Sequence, residues 1–66
     1  MQILLNGKPH PIGTSLSLSE LLESLHLTGK PIVAELNQEA ILTRLFDSTL
    51  IKENDRLEII TLAAGG

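Results

Sequence analysis

Leu16-Ser17-Leu18-Ser19-Glu20-Leu21-Leu22-Glu23-Ser24-Leu25-His26 is the stretch of this 66-residue chain that spells a helix together with its ends. Leu18, Leu21, Leu22 and Leu25 recur at i, i+3, i+4 and i+7, one face of a 3.6-residue turn, and predict a helix from Leu18 to His26. Ser17 and Glu20 have the spacing of a capping box. Leu16 and Leu21 sit where a hydrophobic staple would pack around that cap. Downstream, Gly29 and Pro31 read as a left-handed cap and a stop.

Upstream of the helix, Ile3-Leu4-Leu5 is an apolar run ending in Asn6-Gly7. That dipeptide reaches positive φ at little cost and marks a two-residue hairpin. The returning strand, Lys8 to Ile12, contains Pro9 and Pro11, which cannot donate to a ladder, so it belongs at a sheet edge. Downstream, Ile32 to Asn37 reads as a strand, and Ala40-Ile41-Leu42 as a short one after a turn at Asn37-Gln38. Arg44 to Leu50 has no clean period and reads as loop, with one helical turn around Leu45 to Asp47. After a turn at Asn54-Asp55, Arg56-Leu57-Glu58-Ile59-Ile60-Thr61-Leu62 is the clearest strand of the chain. Hairpin, helix, then further strands define an α+β domain with one helix packed on one face of a mixed sheet of four or five strands. The commonest compact solution of this order is the ubiquitin-like β-grasp, here expected as a single domain over residues 1–66 with the first and last strands as parallel neighbours at the centre.

Composition removes several function classes. The chain has no cysteine, hence no disulfide, thiolate metal site or nucleophilic thiol of its own. Phe46 is the single aromatic residue and the formal charge is −3, so base stacking and phosphate binding have no basis and a basic protein partner is expected instead of nucleic acid. No run approaches the roughly 20 apolar residues of a membrane span. The short apolar start lacks the charged leader and length of a signal peptide. A cytoplasmic protein, monomeric when free, is the expectation.

The last strand runs directly into Ala63-Ala64-Gly65-Gly66. Glycine averages about 7% of residues, so a terminal pair carries information. Four small residues form a slender arm, and two glycines without Cβ can thread a narrow channel and take φ values closed to other residues. The arm is expected to be exposed and mobile, with the reactive group being the Gly66 carboxylate. Within the strand, alternation sends Leu57 and Ile59 to the core and Arg56, Glu58, Ile60 and Leu62 to the open face. Large aliphatics exposed beside the arm, rimmed by charge, predict a partner-docking surface of Ile60 and Leu62 with Arg56 and Glu58.

Together, Asn6-Gly7, Glu35-Leu36-Asn37-Gln38-Glu39, Arg44, and Asn54-Asp55-Arg56-Leu57-Glu58-Ile59-Ile60 before Ala63-Ala64-Gly65-Gly66 make the whole chain resemble the ThiS family, the sulfur carrier proteins of thiamine biosynthesis. The resemblance implies that an E1-like adenylating enzyme, using ATP and magnesium, converts Gly66 to an acyl-adenylate. A persulfide donor then makes it a thiocarboxylate, and thiazole synthase accepts the sulfur. The carrier itself binds no cofactor and catalyses nothing. Many relatives have Asn-Gly where Asn37-Gln38 stands, Pro-Arg at Thr43-Arg44 and Gly-Asp at Asn54-Asp55, which bears on loop detail. Three alternatives share some of these features. They are the small subunit of molybdopterin synthase (MoaD-like), a ubiquitin-like modifier conjugated to lysines, and a plain interaction module.

Other constellations are weaker. His10 and His26 lie on separate elements with no third ligand, so no metal site is expected. Asp47-Ser48-Thr49-Leu50 has a faint likeness to a phosphopantetheine attachment sequence, but that chemistry belongs to helical bundles. Glu20 with Glu23, or Glu35 with Glu39, could be read as catalytic carboxylate pairs; a solvated acidic surface fits them better.

Overall fold

A computed structural model describes residues 1–62. In chain order the elements are β1 (Gln2–Leu5), β2 (Lys8–Pro11), β3 (Leu16–Ser17), α1 (Leu18–Ser24), β4 (Ile32–Leu36), β5 (Glu39–Ile41), a 3₁₀ turn (Thr43–Leu45), β6 (Leu50–Ile51) and β7 (Arg56–Thr61). Five strands form a mixed sheet in the order β2-β1-β7-β4-β5, and β3 pairs with β6 as a separate two-stranded ribbon. β1 and β7 are parallel while every other pair is antiparallel. This is the β-grasp expected from the order of elements.

The hairpin forms as its turn dictates, with Asn6 at φ 51 and Gly7 at φ 81. Ile12 N–H donates to the Met1 carbonyl at 2.8 Å, which fixes the pairing phase so that residues 9 and 11 face away from β1. Pro9 and Pro11 therefore sit where the ladder requires no donor from them. The parallel β1–β7 ladder uses Leu4 N–H to the Asp55 carbonyl and Asn6 N–H to the Leu57 carbonyl, both 2.9 Å. The Asn6 side chain adds one more rung, its Oδ1 accepting from Ile59 N–H at 2.7 Å.

The helix begins as its sequence states. Ser17 Oγ accepts from Glu20 N–H at 3.0 Å and Glu20 Oε1 accepts from Ser17 N–H at 2.8 Å, closing the capping box. It ends earlier than predicted, at Ser24 instead of His26. Leu27 N–H reaches back to the Leu22 carbonyl at 2.8 Å and His26 N–H to the Glu23 carbonyl at 3.0 Å, the two bonds of a Schellman motif. The left-handed residue that permits this is His26, at φ 60, and not Gly29, whose φ of 82 belongs to the following turn.

Leu18, Leu21 and Leu22 are buried against Ile3, Ala34, Leu57 and Ile59 from the sheet, with Ile12, Phe46 and Ile51 completing the cluster. Leu25, expected on the same face, is only partly buried because it caps the helix. The loop after β5 also departs from expectation. Its helical turn lies at Thr43–Leu45, two residues before the predicted position, and the β3–β6 ribbon has no counterpart in the sequence pattern. Both follow from long-range bonds: Leu18 N–H donates to the Thr49 carbonyl and Ser19 N–H to the Phe46 carbonyl, at 2.8 and 3.1 Å. The aperiodic loop thus satisfies two otherwise orphaned donors at the helix start.

Candidate functional site

Alternation along β7 divides its side chains between the two sides of the sheet. Leu57 and Ile59 are buried on the helix side, whereas Arg56, Glu58 and Ile60 are exposed on the other. Ile60 keeps 59% and Leu62 51% of its surface in water. The register of β4 on β7 sets Val33 opposite Ile60 and Glu35 opposite Glu58. Leu42, in extended backbone, lies one step beyond the Ala34–Ile41 pair of β4 and β5, a position that continues the row from Val33. Val33 and Leu42 are 41% and 55% exposed. An apolar row of Leu42, Val33 and Ile60, extended by Leu62, therefore crosses three neighbouring strands at the end of the sheet from which the chain continues to residue 63.

The sequence pointed to Ile60, Leu62, Arg56 and Glu58, and missed Val33, Leu42 and Glu35. Alternation in Ile32-Val33-Ala34-Glu35-Leu36 is a signal for Val33 and Glu35. Only the cross-strand register, however, places them beside Ile60 and Glu58. Glu35 and Glu58 are like charges facing each other directly on adjacent strands, an arrangement that weakens a sheet instead of supporting it. The predicted arm of Ala63, Ala64, Gly65 and Gly66 lies outside the described residues, as does the expectation of its exposure and mobility.

The other candidates are used structurally or are kept apart. Glu20 is engaged in the capping box. Glu35 and Glu39 fall on opposite sides of the sheet, since their partners across the β4–β5 hairpin are Ala40 and Leu36. Asp47 accepts a hydrogen bond from Ser19, while the Ser48 and Thr49 hydroxyls donate to the Leu45 carbonyl, so this segment shapes its own loop. Among the described residues no group of three His, Cys, Asp or Glu could hold a metal ion, and no helix is long and apolar enough to cross a membrane.

Among the described residues one α-helix is cradled by a five-stranded mixed sheet with parallel first and last strands, which defines the class as a small ubiquitin-like β-grasp protein. Comparison with known proteins narrows it. The ThiS family model matches residues 3–66, and the chain belongs to the ThiS family of sulfur carriers in thiamine biosynthesis. It is 31% identical over 64 residues to the sulfur carrier protein ThiS of Thermus thermophilus, covering 97% of this chain and 98% of that one. It is 39% identical over 66 residues to the uncharacterized protein ycf40 of Porphyra purpurea, covering all of this chain and 93% of that protein. A thiazole synthase of Magnetococcus marinus is 27% identical over 66 residues, which are all of this chain and 20% of the synthase. The crystal structure of a thiamine biosynthesis protein (ThiS) from Geobacter metallireducens superposes with a TM-score of 0.86 at 33% identity, covering both chains completely.

Proposed function

We propose that the chain carries sulfur as a thiocarboxylate on Gly66. The observation that carries this reading is the family match through residue 66, so that the likeness includes the Gly-Gly end as well as the folded body. The chemistry needs a partner for each step. The Gly66 carboxylate attacks the α-phosphorus of ATP on a magnesium-dependent adenylating enzyme, and pyrophosphate leaves. The terminal sulfur of a persulfide donor then attacks the acyl carbon and AMP leaves. A second thiol cleaves the resulting sulfur–sulfur bond, giving the thiocarboxylate and a disulfide on the donor side. With no cysteine in the chain, the sulfur chemistry falls to these partners and to the carboxylate.

The open face suits the adenylating partner. Leu42, Val33, Ile60 and Leu62 offer it an apolar strip beside the arm, while Glu58 and Glu35 at the rim complement basic residues and Arg56 complements an acidic one. Thiazole synthase is the proposed acceptor. The likeness of this whole chain to part of the Magnetococcus synthase supports that pairing. After transfer, one oxygen from water or from the acceptor replaces the departed sulfur and Gly66 returns as a carboxylate.

Intact-mass analysis after incubation with ATP, an adenylating enzyme and a persulfide donor tests the reading. One oxygen-to-sulfur replacement is expected in the full chain and none in a chain lacking Gly66. Equal sulfur gain by the truncated chain would refute it.

A further inference from the structure

The pairing of β4 with β7 alternates between residue pairs that exchange hydrogen bonds and pairs that do not. Asn37 N–H donates to the Arg56 carbonyl at 2.7 Å and Leu62 N–H to the Pro31 carbonyl at 2.9 Å, which fixes the phase. In this phase Glu35–Glu58 and Val33–Ile60 are bonded pairs, and the next one is Pro31–Leu62. A full pair would return a bond from the N–H of residue 31 to the Leu62 carbonyl. Proline has no N–H, so that bond cannot form. The pair is half-made, and the missing half is the one that would hold the Leu62 carbonyl, the last group before residue 63.

One step further, the same register would set residue 64 opposite Gly29. Gly29 has φ +82, outside the extended range a strand needs. The β4 side of the ladder is thus closed twice in succession, first by a residue without a donor and then by one turned off the strand course.

We propose that Pro31 is a positioning residue for the sulfur-bearing arm. It leaves the pair at Leu62 half-bonded, so a partner enzyme takes up the arm without first breaking a bond from residue 31. This rests on the sulfur-carrier reading above. Pro31 acts by the bond it withholds from Leu62 and takes no part in the chemistry at Gly66. Each residue held in the ladder costs the arm about 3.3 Å of reach.

A chain of 66 residues is accessible to total synthesis, which allows the missing donor to be tested by itself. Three forms are compared: the natural chain, Pro31→Ala, and a chain with N-methylalanine at position 31, which lacks both the ring and the N–H. In the free Pro31→Ala protein the new amide at position 31 is expected to be protected from hydrogen exchange by the Leu62 carbonyl. With the adenylating enzyme, ATP and a persulfide donor, its kcat for sulfur loading should fall about fivefold, the equivalent of one net hydrogen bond, with KM unchanged because the open face is intact. N-methylalanine should restore the natural rate. An unprotected amide at position 31 of the Pro31→Ala protein, or equal loading of the natural and Pro31→Ala chains, would overturn the proposal. So would an N-methylalanine chain as slow as the Pro31→Ala one, since the pyrrolidine ring and not the absent donor would then matter. A natural chain that gains no sulfur would refute the carrier reading itself, whereas the amide protection still judges the ladder stop.

Discussion

On the helix side of the sheet, Leu57 and Ile59 of β7 are buried among Leu18, Leu21 and Leu22, whereas on the opposite side Ile60 and Leu62 keep more than half of their surface in water. The residues are near neighbours along the chain and equally apolar, yet only the first set is withdrawn from water in the monomer. Full burial of such a side chain contributes about 1.5–3 kcal/mol, and an exposed one contributes little of this. The apolarity of the open face therefore has little folding role to explain it, which is the ground for the docking surface proposed above. Glu35 facing Glu58 draws the same contrast: the helix side is arranged for the chain's own stability, and the open side holds a like-charge pair that does not add to it.

The largest expected effect separates the two sides directly. Leu57→Ala should cost about 3 kcal/mol in urea denaturation, as removal of a fully buried leucine from a packed core does. If the cost is within about 0.5 kcal/mol, the helix side is not the structural core. Next comes the bond that holds β7 in phase with β1. Asn6→Ala leaves the partly buried Ile59 N–H without its acceptor and should lower stability by about 1–3 kcal/mol, read from the same denaturation curves. An unchanged midpoint would mean that the strand needs no such rung.

Ile60→Asp is the converse of Leu57→Ala. Its effect on stability should stay within about 0.5 kcal/mol, while affinity for the adenylating enzyme, measured by calorimetry, should drop on the order of tenfold. A mutant that unfolds would assign Ile60 to the core and erase the contrast. The smallest effect concerns the opposed carboxylates. Glu35→Gln should raise stability by about 0.2–0.5 kcal/mol at low salt, with the gain shrinking as ionic strength rises. A loss of stability at low salt would show that the two charges are not opposed as the register implies.

The parts of the fold legible in the sequence are those fixed by neighbours along the chain. Asn6-Gly7 declares its turn, and Ser17 with Glu20 declares the helix start, because the groups that bond there lie within a few residues. Pro9 and Pro11 declare an edge by what they lack. The helix end is harder to read because His26 adopts the left-handed conformation that glycine takes more cheaply, and Gly29 draws attention away from it. The loop from Thr43 to Leu50 is opaque because its shape depends on donors from Leu18 and Ser19. The candidate site divides similarly. Ile60 and Leu62 follow from alternation within one strand, but Val33, Leu42 and Glu35 join them only through pairing between strands.

The central claim is that the sulfur sits on the carboxyl group of Gly66. Its most direct test is fragment-ion mass spectrometry of the loaded protein. Every fragment containing Gly66 should carry the oxygen-to-sulfur replacement, and every fragment ending before it should have its unmodified mass. Sulfur found on fragments that exclude Gly66, or no sulfur after complete consumption of ATP by the adenylating enzyme, would contradict the account.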